Sequence, residues 1–226
     1  MTSRDPFRAF FAVPLDPEAA RALEEATRGE VAAAGEAGWR PTPAERIHIT
    51  LKFLGDAPVR LVPALGAALR EAAAAVAPFP IEFGGGWLRL PGLGDPRVLA
   101  VPVSDPTRSL PRLAASLEAR AEALGFPREG RPFLSHATVA RRKGGPVRGR
   151  VKPAGSVHPP ASRKVRTTMA GAASVSVAMA PVVLARIVVN RIVLMRSTLG
   201  PDGPTYEVVE EAVLDGRPQE AVAMKR

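Results

Sequence analysis

The sequence predicts an α+β protein built as two similar lobes around a cleft, with antiparallel or mixed sheets. Predicted strands and helices alternate along the 226 residues, a length that is sufficient to bury a proper core. The strand patterns are half polar, which favours sheets with one covered face over a doubly wound parallel sheet. A His-x-Thr frame also occurs once in each half of the chain, after a strand and a helix.

The elements of the first half follow from local residue preferences. Residues 7–13 form a strand-type run that a proline ends, and Asp16 with Pro17 then gives a helix start that leads to about residue 34. A run of three glycines at 84–86 indicates a turn or bulge, because no lysine or helix start follows that would make a phosphate loop. The other predictions here are strands over 47–54, 81–90 and 97–103 and a helix over 58–76.

In the second half, Asp105 and Pro106 open a predicted helix that runs to about residue 124. Residues 144–180 are rich in Gly, Pro, Ser, Ala and basic side chains with weak periodicity, which indicates a flexible basic loop or insertion. The other predictions are strands over 135–141, 181–195 and 206–214 and a frayed tail over 217–226. We expect residues 1–226 to form a single domain made of the two lobes.

Composition excludes several classes of protein. The chain has no cysteine, which rules out disulfide frameworks, thiolate catalysis and cysteine-based zinc sites. No stretch reaches the roughly 18 apolar residues of a membrane-spanning helix. The N-terminal residues lack a signal-peptide profile. We therefore expect a cytoplasmic protein that does not engage a membrane.

The net charge of +9 is unevenly distributed. No acidic residue lies between Glu129 and Asp202, whereas thirteen Lys or Arg occur from Arg131 to Arg196. A one-sided basic field is typical of proteins that bind polyanions such as nucleic acid. An arginine-rich, solvated surface loop would produce the same count, so charge alone leaves both readings open.

The repeated frame is the main functional signal. Two of the three histidines carry a threonine two places on, in His48-Ile49-Thr50-Leu51 and His136-Ala137-Thr138-Val139. Side chains at i and i+2 of a strand share a face, so each copy presents an imidazole beside a hydroxyl. Two such pairs facing each other would make an acid/base site with hydroxyl donors for an anion.

That arrangement suits in-line displacement at phosphorus. One imidazole can deprotonate a nucleophile while the other protonates the leaving oxygen, and the hydroxyls can bind the non-bridging oxygens. The scheme needs no metal; a zinc site, the rival use of two histidines, would need a third ligand and closer spacing. A lone His-x-Thr is usually an ordinary polar strand face. His158 lies before two prolines and is predicted to be an exposed loop residue.

Two cations near the frames are candidate phosphate ligands. Lys52 follows Thr50 by two positions, so strand alternation places it on the face of the first frame. Arg141 ends the second motif strand and could bind a phosphate through two guanidinium N–H groups. For each cation the alternative is a solvated position, at a strand end for Lys52 and in the basic loop for Arg141.

The residues around both frames resemble the two-histidine (2H) phosphoesterase superfamily, and within it the RNA 2′,3′-cyclic phosphodiesterase branch, also known as 2′-5′ RNA ligase. The resemblance spans most of the chain and depends jointly on the order and separation of its segments. Ser135 departs from the proline often found there, and the 144–180 segment is longer and more basic than the family pattern. The matching segments are Arg8–Val13, Trp39–Pro41, Ile47–Gly55, Gly125–Phe126, Arg131–Arg141, Arg196–Gly200 and Gly203–Tyr206.

The resemblance implies a bilobal, pseudo-twofold fold with two mainly antiparallel sheets flanking a central cleft and helices outside. It implies hydrolysis of a terminal RNA 2′,3′-cyclic phosphate to a 2′-phosphomonoester without a cofactor. Carried over, His48 is the proton donor to O3′, His136 the proton acceptor from water, and Thr50 and Thr138 bind the phosphate. The expected partner is an oligoribonucleotide or tRNA-like end, bound by a monomer, with reversed 2′-5′ ligation as a side activity.

Two other functions fit the same residues. A 2H phosphodiesterase acting on a small cyclic nucleotide would use the same histidines, although the basic second half favours a longer polyanion. A non-catalytic nucleotide- or RNA-binding module could have kept the fold, although complete His-x-Thr pairs in both frames favour an enzyme. Motif symmetry by itself does not decide which histidine is the acid.

Overall fold

The computed structural model describes residues 6–34, 38–91, 96–142, 174–176, 182–200 and 203–216. Its helices are α1 (Pro17–Ala34), α2 (Val62–Ala74) and α3 (Ser109–Ala123), with 3-10 turns at Ala44–Arg46 and Val59–Leu61. Its strands are β1 (Phe7–Pro14), β2 (Trp39–Pro41), β3 (His48–Ala57), β4 (Phe79–Gly84), β5 (Trp87–Leu90), β6 (Val98–Ser104), β7 (His136–Arg142), β8 (Ser174–Ser176), β9 (Val183–Val189), β10 (Arg191–Gly200) and β11 (Gly203–Val213).

The strands form two antiparallel halves that meet at β3 and β7. One half has the order β11-β10-β1-β3 and the other has the order β7-β6-β4-β9, with β2, β5 and β8 added at its sides. The only register pair between β3 and β7 in the described part of the chain is Ile49↔Ala137. The predicted α+β class with antiparallel sheets is therefore confirmed.

The two halves of the structure are not the two halves of the chain. Helix α1 packs against β2, β7 and β9 of the second half, whereas α2 packs against β10 and β11 and α3 packs against β3. One apolar core runs beneath both halves and contains a fully buried leucine from each helix: Leu23, Leu69 and Leu117. Helix α1, which precedes the first motif strand, thus covers the second half of the sheet, and α3, which precedes the second motif strand, packs against the first. This exchange joins the two lobes.

Two segments that were each predicted as one strand are divided into two strands in the structure. Residues 81–90 contribute to β4 and β5, which are separated by Gly85 and Gly86. The φ angles of 150° at Gly84 and 79° at Gly85 do not suit residues with a side chain. Residues 181–195 contribute to β9 and β10, which separate at Asn190 and pair in different halves of the structure. The first break coincides with the turn or bulge predicted from the glycines at 84–86. The segment around Asn190 has strand preferences on both sides, so periodicity alone gave no signal for its change of sheet.

Most of the predicted 144–180 loop and all of the 217–226 tail lie outside the described residues, apart from the short strand β8, which pairs with β5. No helix within the described ranges is long and apolar enough to cross a membrane.

The break at Gly84 gives a stability prediction. A Cβ added there would lie 2.2 Å from the carbonyl oxygen of Val182, whereas a Cβ at Gly85 meets nothing within 4 Å. We expect Gly84→Ala to lower the free energy of unfolding by about 3 kcal/mol, from backbone overlap plus strain. The matched Gly85→Ala carries strain alone and should cost about 1 kcal/mol. Urea unfolding of both variants tests this; equal losses would contradict it.

Candidate active site

The site is built on the antiparallel contact between β3 and β7. Ile49 and Ala137 are directly paired and are fully buried in the core, so their sequence neighbours point to the opposite face of the sheet. Extending this register by one residue in each direction places every histidine across from the threonine of the other frame. The facing positions are His48 with Thr138 and Thr50 with His136, so the structure brings all four predicted residues to one face.

Both imidazoles are held in the same way. The Nδ1 of His48 lies 2.8 Å from the carbonyl oxygen of Arg46, and the Nδ1 of His136 lies 2.7 Å from that of Leu134. A carbonyl oxygen only accepts, so Nδ1 carries the hydrogen and donates it in each case. This leaves Nε2 of each ring as the atom that gains or loses a proton during a reaction.

An aromatic cluster surrounds His48. The imidazole stacks on Phe10 with ring centroids 4.9 Å apart, and Tyr206 meets it edge to face at 5.0 Å. Phe10 also contacts Tyr206 edge to face at 5.2 Å. These rings fix the orientation of His48 and remove water from one side of it.

Burial controls the proton affinity of the two histidines. Enclosure by the cluster lowers the pKa of His48 from 6.5 to about 4, opposed by its bond to the Arg46 carbonyl and reinforced by the charge of Arg141. Burial and then Arg141 also lower the pKa of His136, again opposed by the backbone bond. At neutral pH both imidazoles are therefore neutral and lie beside the cation of Arg141.

Arg141 reaches this face because β7 contains a bulge. Thr138 pairs with Ala100 and Ala140 with Leu99, which leaves Val139 as an extra residue between them. The alternation reverses at the extra residue, so Ala140 turns to the core and Arg141 turns to the side of Thr138. Its influence on both histidines and on Tyr206 agrees with that position.

The corresponding bulge in β3 removes Lys52 from the site, which corrects the prediction for this residue. Thr50 pairs with Ala12 and Lys52 pairs with Phe11, so Leu51 is the extra residue and the alternation reverses. Lys52 is thereby placed on the core side, where only 5% of its surface is exposed. Simple i, i+2 counting from Thr50 failed because it assumed an unbroken strand.

In its observed position Lys52 joins β3 to α3 and to the chain that leads into β7. Its Nζ donates to Glu118 Oε1 at 2.7 Å and to the Pro127 carbonyl at 2.8 Å. The same carboxylate oxygen accepts from the backbone N–H of Glu129 at 2.9 Å. Lys52 is therefore a structural link between the two motif regions.

The threonine hydroxyls are available to a ligand. Thr50 and Thr138 are both part-exposed on the shared face, and neither hydroxyl is hydrogen-bonded to another residue in the described ranges. Together with Arg141 they give the face two neutral donors and one cation, a set that suits a tetrahedral oxyanion.

Phe10 and Tyr206 were not predicted from the sequence to be site residues. Tyr206 is the only tyrosine of the chain, which was a weak signal, while Phe10 sits in a run of core-like residues. A cavity of about 430 Å³ adjoins the site on this side and is lined by His48, Tyr206, Met195 and residues of α1 and the turn before β3.

Comparison with known proteins shows relatives of the same fold. Residues 13–99 match the family described as LigT-like phosphoesterase. A Thermus thermophilus RNA 2′,3′-cyclic phosphodiesterase is 32% identical over 92% of this chain and 91% of its own length. A solved structure from the same organism superposes with a TM-score of 0.67 at 30% identity, covering 93% of this chain and all of that one. Escherichia coli LigT complexed with 3′-AMP shares the fold at TM-score 0.63, 22% identity and coverages of 93% and 99%.

The lowered pKa values of the two histidines can be measured in the protein without added ligand. In NMR titrations we expect His48 to have a midpoint near 4 and His136 a midpoint below 6.5. Inorganic phosphate should raise both midpoints, because a bound anion favours the imidazolium. His48→Gln and His136→Gln assign the signals. A His48 midpoint at or above 6.5 without phosphate would contradict the burial argument.

The position of Lys52 gives a second prediction. Lys52→Met leaves the Glu118 carboxylate without its cation, and breaking a buried pair typically costs about 3 kcal/mol or more of unfolding free energy. Arg28→Met is the matched control, because Arg28 and Glu24 form an exposed pair at the same 2.7 Å; it should cost less than about 0.5 kcal/mol. Similar losses in the two variants under urea would contradict the role assigned to Lys52.

Proposed function

This chain belongs to the LigT-like phosphoesterase family, and we propose that it hydrolyses RNA 2′,3′-cyclic phosphate ends to 2′-phosphomonoesters. The observation that carries the proposal is the register of β3 and β7, which sets an imidazole across from a hydroxyl twice on one open face. The RNA 2′,3′-cyclic phosphodiesterase activity named for the Thermus thermophilus relative supports the choice of substrate.

In the proposed complex the cyclic phosphate lies between the two frames. The hydroxyls of Thr50 and Thr138 donate to its non-bridging oxygens, on which negative charge grows during displacement. Arg141 balances the charge of the phosphodiester and of the transition state. These donors act in a partly desolvated site, where each bond is stronger than it would be in water.

The histidines transfer the protons. Water attacks phosphorus in line with O3′, so a P–O bond to water forms as the P–O3′ bond breaks. His136 Nε2 takes the proton of the water, and His48 Nε2 gives a proton to the departing O3′. The product keeps the phosphate on O2′, and exchange with solvent restores both imidazoles. All the proton transfers are made by side chains, so the proposed reaction is metal-independent.

The surroundings of the two rings support this assignment of roles. His48 is enclosed by Phe10 and Tyr206, and its lowered pKa makes its imidazolium a strong acid toward an alkoxide. The anionic substrate raises the pKa of His48, so His48 becomes protonated and can act as the acid. His136 is the more exposed of the two histidines, which suits the ring that must meet water.

We propose an oligoribonucleotide or tRNA-like end as the natural ligand, since the charge of +9 favours a polyanion. We further propose a monomeric cytoplasmic enzyme. Microscopic reversibility allows the same groups to join a cyclic phosphate to a 5′-hydroxyl as a 2′-5′ linkage.

A direct assay tests the proposal. An oligoribonucleotide ending in a 2′,3′-cyclic phosphate is incubated with the full chain in EDTA, and the position of the product phosphate is determined. We expect a 2′-phosphomonoester from wild type and at least about a hundredfold loss in His48→Ala and in His136→Ala. His158→Ala, which changes the histidine outside both frames, should retain activity. Activity that EDTA abolishes, or that survives in both motif variants, would overturn the mechanism.

A further inference from the structure

Arg40 lies beside Arg141 on the face that carries the two His-x-Thr frames. Strand β2 pairs Arg40 directly with Arg141 and Trp39 with Arg142, and directly paired residues of antiparallel strands share a face. Trp39 is buried in the core and Arg40 is exposed, so the alternation of β2 agrees with this placement. The open face therefore carries two neighbouring arginines, and Cβ atoms of residues paired in this way lie about 5 Å apart.

The charge of Arg40 is unfavourable in this position unless an anion binds. Like charges directly opposite each other in a sheet destabilise it, and the guanidinium of Arg40 forms no ion pair or hydrogen bond with the residues that the structure describes. A carboxylate on the neighbouring strands would relieve the repulsion. The other open-face residues of β6 and β7 provide none, since they are Val98, Ala100, Pro102, His136 and Thr138.

Arg40 is further from the reacting groups than Arg141. Burial is the main cause of the lowered pKa of His48 and of His136, and the charge of Arg141 adds to it, whereas the charge of Arg40 does not contribute. The residues that face β7 from the side of β3 and β2 are, in order, Thr50, His48 and Arg40. Arg40 therefore lies beyond His48, outside the space between the two frames.

The proposed mechanism places the sugar of the terminal nucleotide on that side. The attacking water at His136 and the leaving O3′ at His48 are roughly in line through phosphorus, so the ribose that carries O3′ lies toward His48. The next phosphate of the RNA chain is attached to the 5′ carbon of the same ribose. Sites for single-stranded RNA follow the backbone with positive charge, and Arg40 is the cation that comes after His48 along this side of β7.

We propose that Arg40 binds the phosphodiester on the 5′ side of the terminal nucleotide and thereby makes the site select an RNA end over a cyclic mononucleotide. This inference rests on the proposed function and adds a residue that recognises the chain instead of the reacting group. A nucleoside 2′,3′-cyclic phosphate has no phosphate at the 5′ position, so it gains nothing from Arg40.

An exposed charge on an edge strand has another ordinary use. Among the described strands β2 pairs with β7 alone, and charged side chains on such strands prevent pairing with other chains. That use would be independent of the substrate, so the charge of the substrate linkage separates the two roles.

The test compares two dinucleotides that differ only in the charge of the internal linkage. Both end in adenosine 2′,3′-cyclic phosphate; the linkage is a phosphodiester in one and an uncharged methylphosphonate in the other. We expect Arg40→Gln to raise KM about tenfold on the phosphodiester with little change in kcat, as for loss of one hydrogen bond to a charged group. KM on the methylphosphonate should not change.

Salt provides a second measurement on the phosphodiester. Each phosphate contact of a single strand adds about 0.7 to the slope of log KM against log salt, so Arg40→Gln should lower that slope by about 0.7. Arg40→Lys keeps the charge and should retain the wild-type slope. Arg60→Gln is the matched control, because Arg60 is also exposed but lies in the 3-10 turn after the far end of β3; it should change KM on neither dinucleotide.

Two results would overturn the inference. Equal losses of Arg40→Gln on both dinucleotides would assign Arg40 to the reacting phosphate, and an unchanged KM on both would leave it as an edge charge. If wild type cleaves neither dinucleotide, the proposed function fails separately. Arg40 is then judged by the affinity of the same two dinucleotides ending in a 2′-phosphate, of which Arg40→Gln must weaken only the phosphodiester, by about tenfold.

Discussion

The pairing of Ile49 with Ala137 is the constraint on which the rest of the site depends. Both side chains are withdrawn into the core, so their burial fixes which face each neighbouring residue occupies. A slip of β3 by one residue against β7 would turn His48 and Thr50 toward the core and would expose Ile49, while His136 stayed on the open face. The hydrophobic core therefore holds the catalytic geometry, and chemistry and stability depend on the same contact.

Two bulges then decide which charges reach the cleft. Without the extra residue Val139, Arg141 would point to the core and an unpaired guanidinium would be buried there, at a large cost in free energy. Without the extra residue Leu51, Lys52 would face the cleft and Glu118 would lose its partner. The bulges thus place one cation on the open face and bury the other in an ion pair. Because Arg141 comes from β7 alone, its cation makes the two otherwise similar His-x-Thr frames different from each other.

Electrostatics and packing oppose each other at His48. The aromatic cluster orients the imidazole, and the same enclosure lowers its pKa to about 4. At neutral pH the site is accordingly uncharged at its histidines and positive at Arg141. An anionic ligand reverses the balance by favouring the imidazolium. In the proposed mechanism, binding of the anionic substrate favours protonation of His48, the proposed acid, so proton uptake accompanies occupation of the site.

The sequence by itself determined the α+β class, the family and the four residues of the His-x-Thr frames, because strand alternation over two or three residues is a local property. It also predicted Arg141 beside the second frame, though without the bulge that explains this position. Only the tertiary structure decided the position of Lys52, the exchange of helices between lobes, the change of sheet at Asn190 and the packing of Phe10 and Tyr206 around His48. Each of these depends on contacts between segments that are distant in sequence. A bulge, for example, is defined only by the register with the partner strand, so a local sequence pattern does not predict it.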